Sequence, residues 1–384
     1  MADADGLLTY VPTMASLRLG ITGAAGMLGW HMRCACFGAD DLEVRVADRA
    51  TFQDPQAMQG FARDLDVLVH FAGLNRGEDQ EVHDGNIALG AQVLDACDAV
   101  GAKPHLVFSN STHCEGETSY GASKRTVSEN FRAWAIEKGV GFHDMVLPHV
   151  FGEHGKPFYN SVVHTFCHQL ARGEEPTIHV DGMLELVHSG DVADVILQRL
   201  REDPGRVEAV RVEGRGMKVS ALLETLRAKA ESYGKKQVIP DLSDRLHLQL
   251  FNTLRAAMYP DAYPVDLKLH ADERGDLFEA VKGDQGGQSF LSTTRPGITR
   301  GNHFHRHKVE RFLVVRGEAV IGIRRLFDEE VLEFRVSGTR PQYIDMPTLH
   351  THNITNVGDE DLLTLFWSHE IFDPNTPDTL WEEV

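Results

Sequence analysis

Residues 20–29 read GITGAAGMLG, and the residues before them complete a strand-like run, LRLGIT at 17–22. Gly23, Gly26 and Gly29 fall three apart between that run and a helical stretch, MLGWHMRCACF. Glycines at this spacing permit a tight turn and let a pyrophosphate reach backbone N–H groups at the start of a helix. A strand, this turn and a helix in succession predict a dinucleotide-binding unit, with Gly23, Gly26, Met27 and Leu28 against the phosphates. Asp48 closes the next strand-like run, LEVRVAD at 42–48, where an acid can hold the adenine ribose hydroxyls. Arg49 follows it and can instead pair with a 2′-phosphate, so the pair admits NAD or NADP.

Working outward, LDVLVHFAG (65–73), HLVFSNS (105–111) and FHDMVLPHVFG (142–152) read as further strands. Between them NIALGAQVLDACDAV (86–100) and SKRTVSENFRAWAIEKG (123–139) carry helical periodicity. This alternation predicts an α/β Rossmann-type domain, a parallel sheet covered by helices. Ala72 and Gly73 end the third strand and are further cofactor candidates. After about residue 235 the helical period gives way to short alternating runs such as QSFLSTT, ERFLVVRG, EAVIGIRRL and LLTLFWS, which predict an all-β sandwich or barrel. The expected organisation is a disordered leader at 1–16, a first domain at 17–243, a connector at 244–264 and a β-domain at 265–384.

A net charge of −19, from 38 basic and 57 acidic side chains, disfavours nucleic acid and anionic membranes as partners. No apolar run approaches the roughly 18–20 residues that span a bilayer, and the N-terminus lacks a signal-peptide pattern. Five cysteines without a CxxC pair are expected to be reduced thiols of a cytoplasmic enzyme.

Tyr120-Gly-Ala-Ser-Lys124 carries the sharper chemistry. On a helix, residues four apart share a face, and an ammonium beside a phenol favours the phenolate. Tyr120 is then a proton donor or acceptor for a carbonyl or alcohol. Ser111, at the end of the fourth strand, can hydrogen-bond the same oxygen. TGAAGMLG, HFAG, SNST and YGASK together resemble the extended short-chain dehydrogenase/reductase family over residues 17–235. By that resemblance Ser111, Tyr120 and Lys124 form a catalytic trio serving hydride transfer to a sugar carbon. Sugar 4,6-dehydratases of the family carry an Asp-Glu pair after the active-site Ser/Thr. Here Thr112-His113-Cys114 follows Ser111, so reduction is implied rather than water elimination. GKPFYNSVVHTFCHQL (155–170) resembles a substrate-side segment, which makes Asn160 and Ser161 candidate substrate contacts, with Asn75 after the third strand.

In the β-domain, Gly297-x5-His303-x-His305-x4-Glu310-x6-Gly317 matches the first cupin motif. Pro347, His352 and Asn356 match the second, with Leu349 where a glycine is usual. Alternate residues of a strand share a face, so His303 and His305 can converge with Glu310 and His352 on a divalent metal, zinc being expected. His350 is either a further ligand or a base. HADERGDLFEAVKG (270–283) and RGNHFHRHKVERFLVV extend the resemblance to bifunctional capsular-polysaccharide enzymes of the CapF type, a reductase fused to a cupin (jelly-roll) domain. That resemblance implies C3 epimerisation of a UDP-linked 2-acetamido-2,6-dideoxy-4-ketohexose in the cupin, then C4 reduction with NADPH, in a homodimer. Candidates for the epimerisation base are His350, Glu310 and Glu279. The competing expectations are a reductase with a structural cupin and a non-catalytic sensor of nucleotide sugars.

Overall fold

Leu17–Thr22, the strand ahead of the glycine turn, lies inside a six-stranded sheet. The order is Leu42–Ala47, Leu17–Thr22, Val67–His70, His105–Ser111, Phe142–Leu147, Val207–Arg211, and every pairing is parallel. We describe residues 16–384 in a computed structural model, so the expected leader lies outside the described residues except for Ser16. Helices Met27–Cys36 and Ser189–Glu202 cover one face around Ile21, Met32, Met145 and Ile196. Helices Asp79–Val100 and Ser119–Lys138 cover the other around Leu68, Val93, Leu106 and Phe131. Burial on both faces explains strands as continuously apolar as VLV at 67–69. From Leu17–Thr22 the chain goes first to one neighbour and then, through Val67–His70, to the other side. That reversal opens a crevice at the strands' carboxyl ends, the usual ligand position in such sheets.

A smaller sheet of His149–Phe151, Met183–His188 and Arg215–Lys218 extends this domain. Helices Val162–Ala171, Val219–Lys229 and Arg245–Met258 pack with it around Phe166, Leu186, Leu222 and Leu250. The last of these helices falls in the expected connector, 244–264. Its Leu246, Leu250 and Leu254, four apart, face the first domain's core, and Asp244 caps it by accepting from the His247 N–H at 3.0 Å. The helical part of the expected connector therefore packs on the first domain.

The C-terminal domain is two five-stranded antiparallel sheets. One runs Val265–Asp266, Gln342–Met346, Glu310–Arg316, Leu362–Ser368, Gln288–Thr294; the other Val331–Ser337, Glu318–Arg325, His350–Asn356, Thr299–Phe304, Leu380–Trp381. Phe312, Val314, Ile321, Tyr343 and Ile354 fill the space between them. Two apolar clusters join the domains. Trp30 and Cys34 meet Phe304, Leu326 and Leu349; Tyr233 and Phe251 meet Val309 and Trp367. Polar contacts cross beside them: Arg255 donates to the Met346 carbonyl at 2.6 Å, and Asn252 to that of His307 at 3.0 Å. All five cysteines are free. Among the described residues no helix is long and apolar enough to cross a membrane.

Candidate functional site

Gly23 adopts φ +67°, and a Cβ on it would stand 2.6 Å from the Ala72 nitrogen. A Cβ on Gly29 would stand 2.3 Å from the Gly23 carbonyl oxygen. Only glycine therefore lets the first turn close against residues 71–73 and the helix close against the turn. This brings Gly23, Gly26, Met27 and Leu28 to the same crevice as Ala72 and Gly73, a cradle that fits a dinucleotide's phosphates. Asp48 ends the neighbouring strand but also caps helix Arg49–Gln53, accepting from the Thr51 N–H and hydroxyl, both at 2.9 Å. Those bonds hold its carboxyl below the usual range, so it is an anion. Arg49 beside it is exposed.

Ser111, Tyr120 and Lys124 meet at the end of the fourth strand and the start of helix Ser119–Lys138, whose N-terminus Thr118 caps. Lys124 is buried, donates to the Ser109 carbonyl at 2.7 Å, and lies 5.8 Å from the centre of the Tyr120 ring. Burial pushes its pKa down to about 8, against the opposing charge of Asp144. Tyr120 differs from the expected depressed phenol. Desolvation pushes it up to about 12, and Ser111 alone draws it down. The physical reason is that the ammonium is spent on a backbone carbonyl, so the cation stabilises the phenolate too little to offset burial. Tyr120 thus keeps its proton across the working pH range.

Beside the phenol, the His113 ring lies 6.1 Å away, centre to centre. Asn160 donates to the Asn75 carbonyl, and the Ser161 hydroxyl lies 3.4 Å from His149 Nε2. The three expected substrate contacts thus lie on two joined loops. Sequence reading missed their supports. Asn86 accepts from the Leu74 N–H at 2.7 Å and donates to the Leu74 carbonyl at 2.8 Å and to Ser123 at 3.0 Å. Asp144 accepts from Ser128 at 2.6 Å and from Asn110 at 3.1 Å, and Asn110 in turn accepts from the Ser111 N–H at 2.8 Å.

In the β-domain the ligating atoms of His303, His305, Glu310 and His352 all lie within 4.8 Å of one another. Glu310 Oε2 is 3.0 Å from His305 Nε2, 3.4 Å from His352 Nε2 and 3.9 Å from His303 Nε2. His305 donates through Nδ1 to the Asp378 carbonyl, and His352 through Nδ1 to the His350 carbonyl at 3.2 Å. A carbonyl only accepts, so Nδ1 carries the hydrogen in each of these bonds and Nε2 is the ring atom turned toward the carboxylate. His352 Nε2 is buried without a hydrogen-bond partner, and burial lowers its pKa to about 4, which leaves it neutral. Three imidazole nitrogens converging with one carboxylate fit a divalent cation, with the outer hydrogen bonds such sites use. Asp378 also orders the intervening turn, accepting from the N–H groups of Arg306, His307 and Lys308 at 2.7–2.8 Å.

His350 is two residues from His352 on the same strand, buried against the rings of His154 (5.2 Å) and Tyr259 (5.0 Å). Its Nδ1 donates to the Thr348 carbonyl at 2.9 Å, so Nε2 carries a lone pair that no hydrogen bond among the described residues engages. Glu279, by contrast, is exposed and pairs with Lys282 at 3.4 Å.

Comparison with known proteins agrees with both halves. Residues 19–210 match the NAD dependent epimerase/dehydratase family, and residues 270–380 the polysaccharide biosynthesis C-terminal domain. A UDP-2-acetamido-2,6-beta-L-arabino-hexul-4-ose reductase of Pseudomonas aeruginosa is 30% identical over 362 residues, covering 94% of this chain and 96% of that protein. The crystal structure of the capsular polysaccharide assembling protein CapF of Staphylococcus aureus shares 30% identity with a TM-score of 0.61, covering 96% of this chain and all of that one. A UDP-N-acetylglucosamine 4-epimerase of Methanobrevibacter ruminantium, 18% identical with a TM-score of 0.52, covers 63% of this chain and 98% of its own and shares the fold.

Proposed function

The chain belongs to the NAD dependent epimerase/dehydratase family, and from that premise we propose that it is a two-centre enzyme acting on a UDP-linked 2-acetamido-2,6-dideoxy-4-ketohexose. The β-domain, read as a cupin, inverts C3; the first domain then reduces C4, toward a UDP-N-acetyl-L-fucosamine precursor for surface polysaccharide. What supports the reading most is a single combination. A chain aligned over 94% of its length with a 4-ketose reductase carries an intact Ser111–Tyr120–Lys124 set and, separately, an unengaged imidazole beside a metal-ready ligand set.

A ketone at C4 acidifies the C3 proton. His350 Nε2 accepts that proton, and a solvent-derived proton delivered to the opposite face of the enolate inverts the centre. His303, His305, Glu310 and His352 would hold a divalent metal, which when bound supplies positive charge near a developing oxyanion. In the first domain the crevice would hold NADPH, which supplies the hydride to C4. Tyr120 gives its phenolic proton to the C4 oxygen as the alkoxide forms. Ser111 hydrogen-bonds that oxygen, and Lys124 holds positive charge behind it. Asn75, Asn160 and Ser161 orient the sugar nucleotide. Reduction consumes the inverted ketone and draws a reversible epimerisation forward, a chemical reason for joining the two domains.

The test is NADPH absorbance with freshly made UDP-4-keto-6-deoxy-HexNAc in deuterated water, followed by NMR of the product. Oxidation of NADPH with deuterium at C3 is expected. The Pseudomonas relative is named for reduction alone, which favours a second reading in which the metal domain is structural. NADPH oxidation with no deuterium at C3, and a His350→Ala enzyme giving the same product, would select it.

A further inference from the structure

We propose that Glu153, in the first domain, is a positioning residue for His350 in the second: its carboxylate holds Thr348, and Thr348 holds the imidazole. The inference rests on reading His350 as the C3 base. Glu153 is 1% exposed and lies in the loop between the smaller sheet and the substrate segment that ends at Asn160 and Ser161. One carboxylate oxygen accepts from the Thr348 hydroxyl at 2.9 Å, across 195 residues of sequence. The Thr348 carbonyl accepts from His350 Nδ1 at 2.9 Å, the bond that fixes the tautomer with Nε2 free.

His31, Glu153 and His188 resemble a second metal set by distance, since their ligating atoms also lie within 4.8 Å of one another. Ring hydrogens decide otherwise. His188 Nδ1 accepts from the Gly190 N–H at 3.1 Å, so its proton sits on Nε2, which donates to Glu153 at 2.9 Å. His31 Nε2 lies 3.2 Å from the Glu153 carbonyl oxygen and must donate to it. Both Nε2 atoms are thus taken up as hydrogen-bond donors, whereas at Glu310 the buried His352 Nε2 has no hydrogen-bond partner. The buried carboxylate is a fixed acceptor, stabilised by the His188 N–H and by the positive end of helix Ser189–Glu202, which His188 caps.

The turn between the two bonds is anchored to the same domain. Leu349 takes φ +61°, a backbone region that favours glycine, and its side chain is buried among Trp30, Cys34, Phe304 and Leu326. Its N–H donates to the carbonyl of His305, a metal-set residue, at 2.8 Å. First-domain atoms thus hold residues 348 and 349, and the turn delivers residue 350.

The experiment uses the full chain and two separate assays. Exchange of solvent deuterium into C3 of the L-arabino 4-ketose, without NADPH, reads the base; NADPH oxidation on the already C3-inverted L-lyxo ketone reads the reductase. Thr348→Val and Glu153→Ala should each slow exchange at saturating ketone by about tenfold or more with KM unchanged, the size typical of lost outer hydrogen bonds. Metal content and NADPH oxidation should hold, and Thr348→Ser should restore exchange to within about twofold. The double variant should be no slower than the slower single one, because both break one chain of bonds. Wild-type exchange in Thr348→Val, loss of metal together with exchange, or multiplied losses in the double variant would overturn the proposal. A wild-type enzyme that oxidises NADPH but never exchanges C3 would overturn instead the epimerase reading beneath it, a result independent of the variants.

Discussion

Lys124 decides how the first centre responds to pH. Its ammonium is depressed to about 8 while the Tyr120 phenol is raised to about 12, so between those values the phenol keeps its proton and the lysine loses its own. If the reaction needs the ammonium, kcat/KM for reduction falls as pH rises through about 8, and a tyrosine-controlled limb lies far higher. The free enzyme's groups set that profile. Asp144 opposes the depression, so Asp144→Asn should move the limb to lower pH, and a pH–rate series on both enzymes checks the direction. An unmoved limb would assign the titration to another group. Stability carries the opposite sign. Unfolded lysine binds its proton up to its ordinary value, so Lys124 makes the fold more stable as pH climbs from about 8 toward that value. Tyr120→Phe should lower kcat by about 10²–10⁴, the range for loss of a placed proton donor. Tyr120 and Lys124 were legible because one helical turn sets their spacing. Asp144 was not, since it meets Asn110 across 34 residues and nothing in HDMVL marks its carboxylate as buried.

The strand His350–Asn356 and its entry turn show how an element trades strain for contact. Holding leucine in the left-handed region costs about 1–2 kcal/mol, while a leucine buried in a closely packed cluster is worth about 2–5 kcal/mol against its truncation. Burial wins, which is the physical reason Leu349 stands where the motif usually has glycine. Leu349→Gly should therefore destabilise the protein, by about 1–3 kcal/mol after the strain is relieved. Urea unfolding checks this, and a stabilised variant would mean the side chain packs loosely. The His350 and His352 spacing was legible because alternation along His350–Asn356 aligns them, whereas His305 falls just past the end of Thr299–Phe304. The sequence also marked Leu349 as a departure without showing its cause, because Trp30 and Cys34 lie more than 300 residues away. The packing of the helix in the expected connector was hidden for a related reason. Its leucines at 246, 250 and 254 announce a helix, but not which domain the helix faces.

At the scale of the whole molecule, the two domains share too much buried surface to unfold apart. Separating them would bare Trp30, Phe304, Leu326, Leu349, Phe251, Val309 and Trp367 together. It would also strip partners from a buried ion pair. Arg311 and Asp345 lie 2.6 Å apart, both about fully buried, and Asp345 accepts a further hydrogen bond from the first domain's Tyr233 at 2.7 Å. Losing one partner of such a network strands a buried charge, which costs more than the bond itself contributes. We therefore expect one cooperative calorimetric transition for the full chain, and residues 265–384 expressed alone to be aggregated or loosely folded. Metal sharpens the test, because a ligand that binds only the native state adds RT ln(1 + [M]/Kd), about 4 kcal/mol at a thousandfold excess over Kd. If the domains are coupled, chelation lowers the single transition as a whole. If they are independent, it moves one of two transitions and leaves the NADPH-stabilised one in place. Calorimetry with chelator and NADPH added in turn separates these outcomes. Two transitions, each answering to its own ligand, would also remove the structural ground for Glu153 acting across the interface.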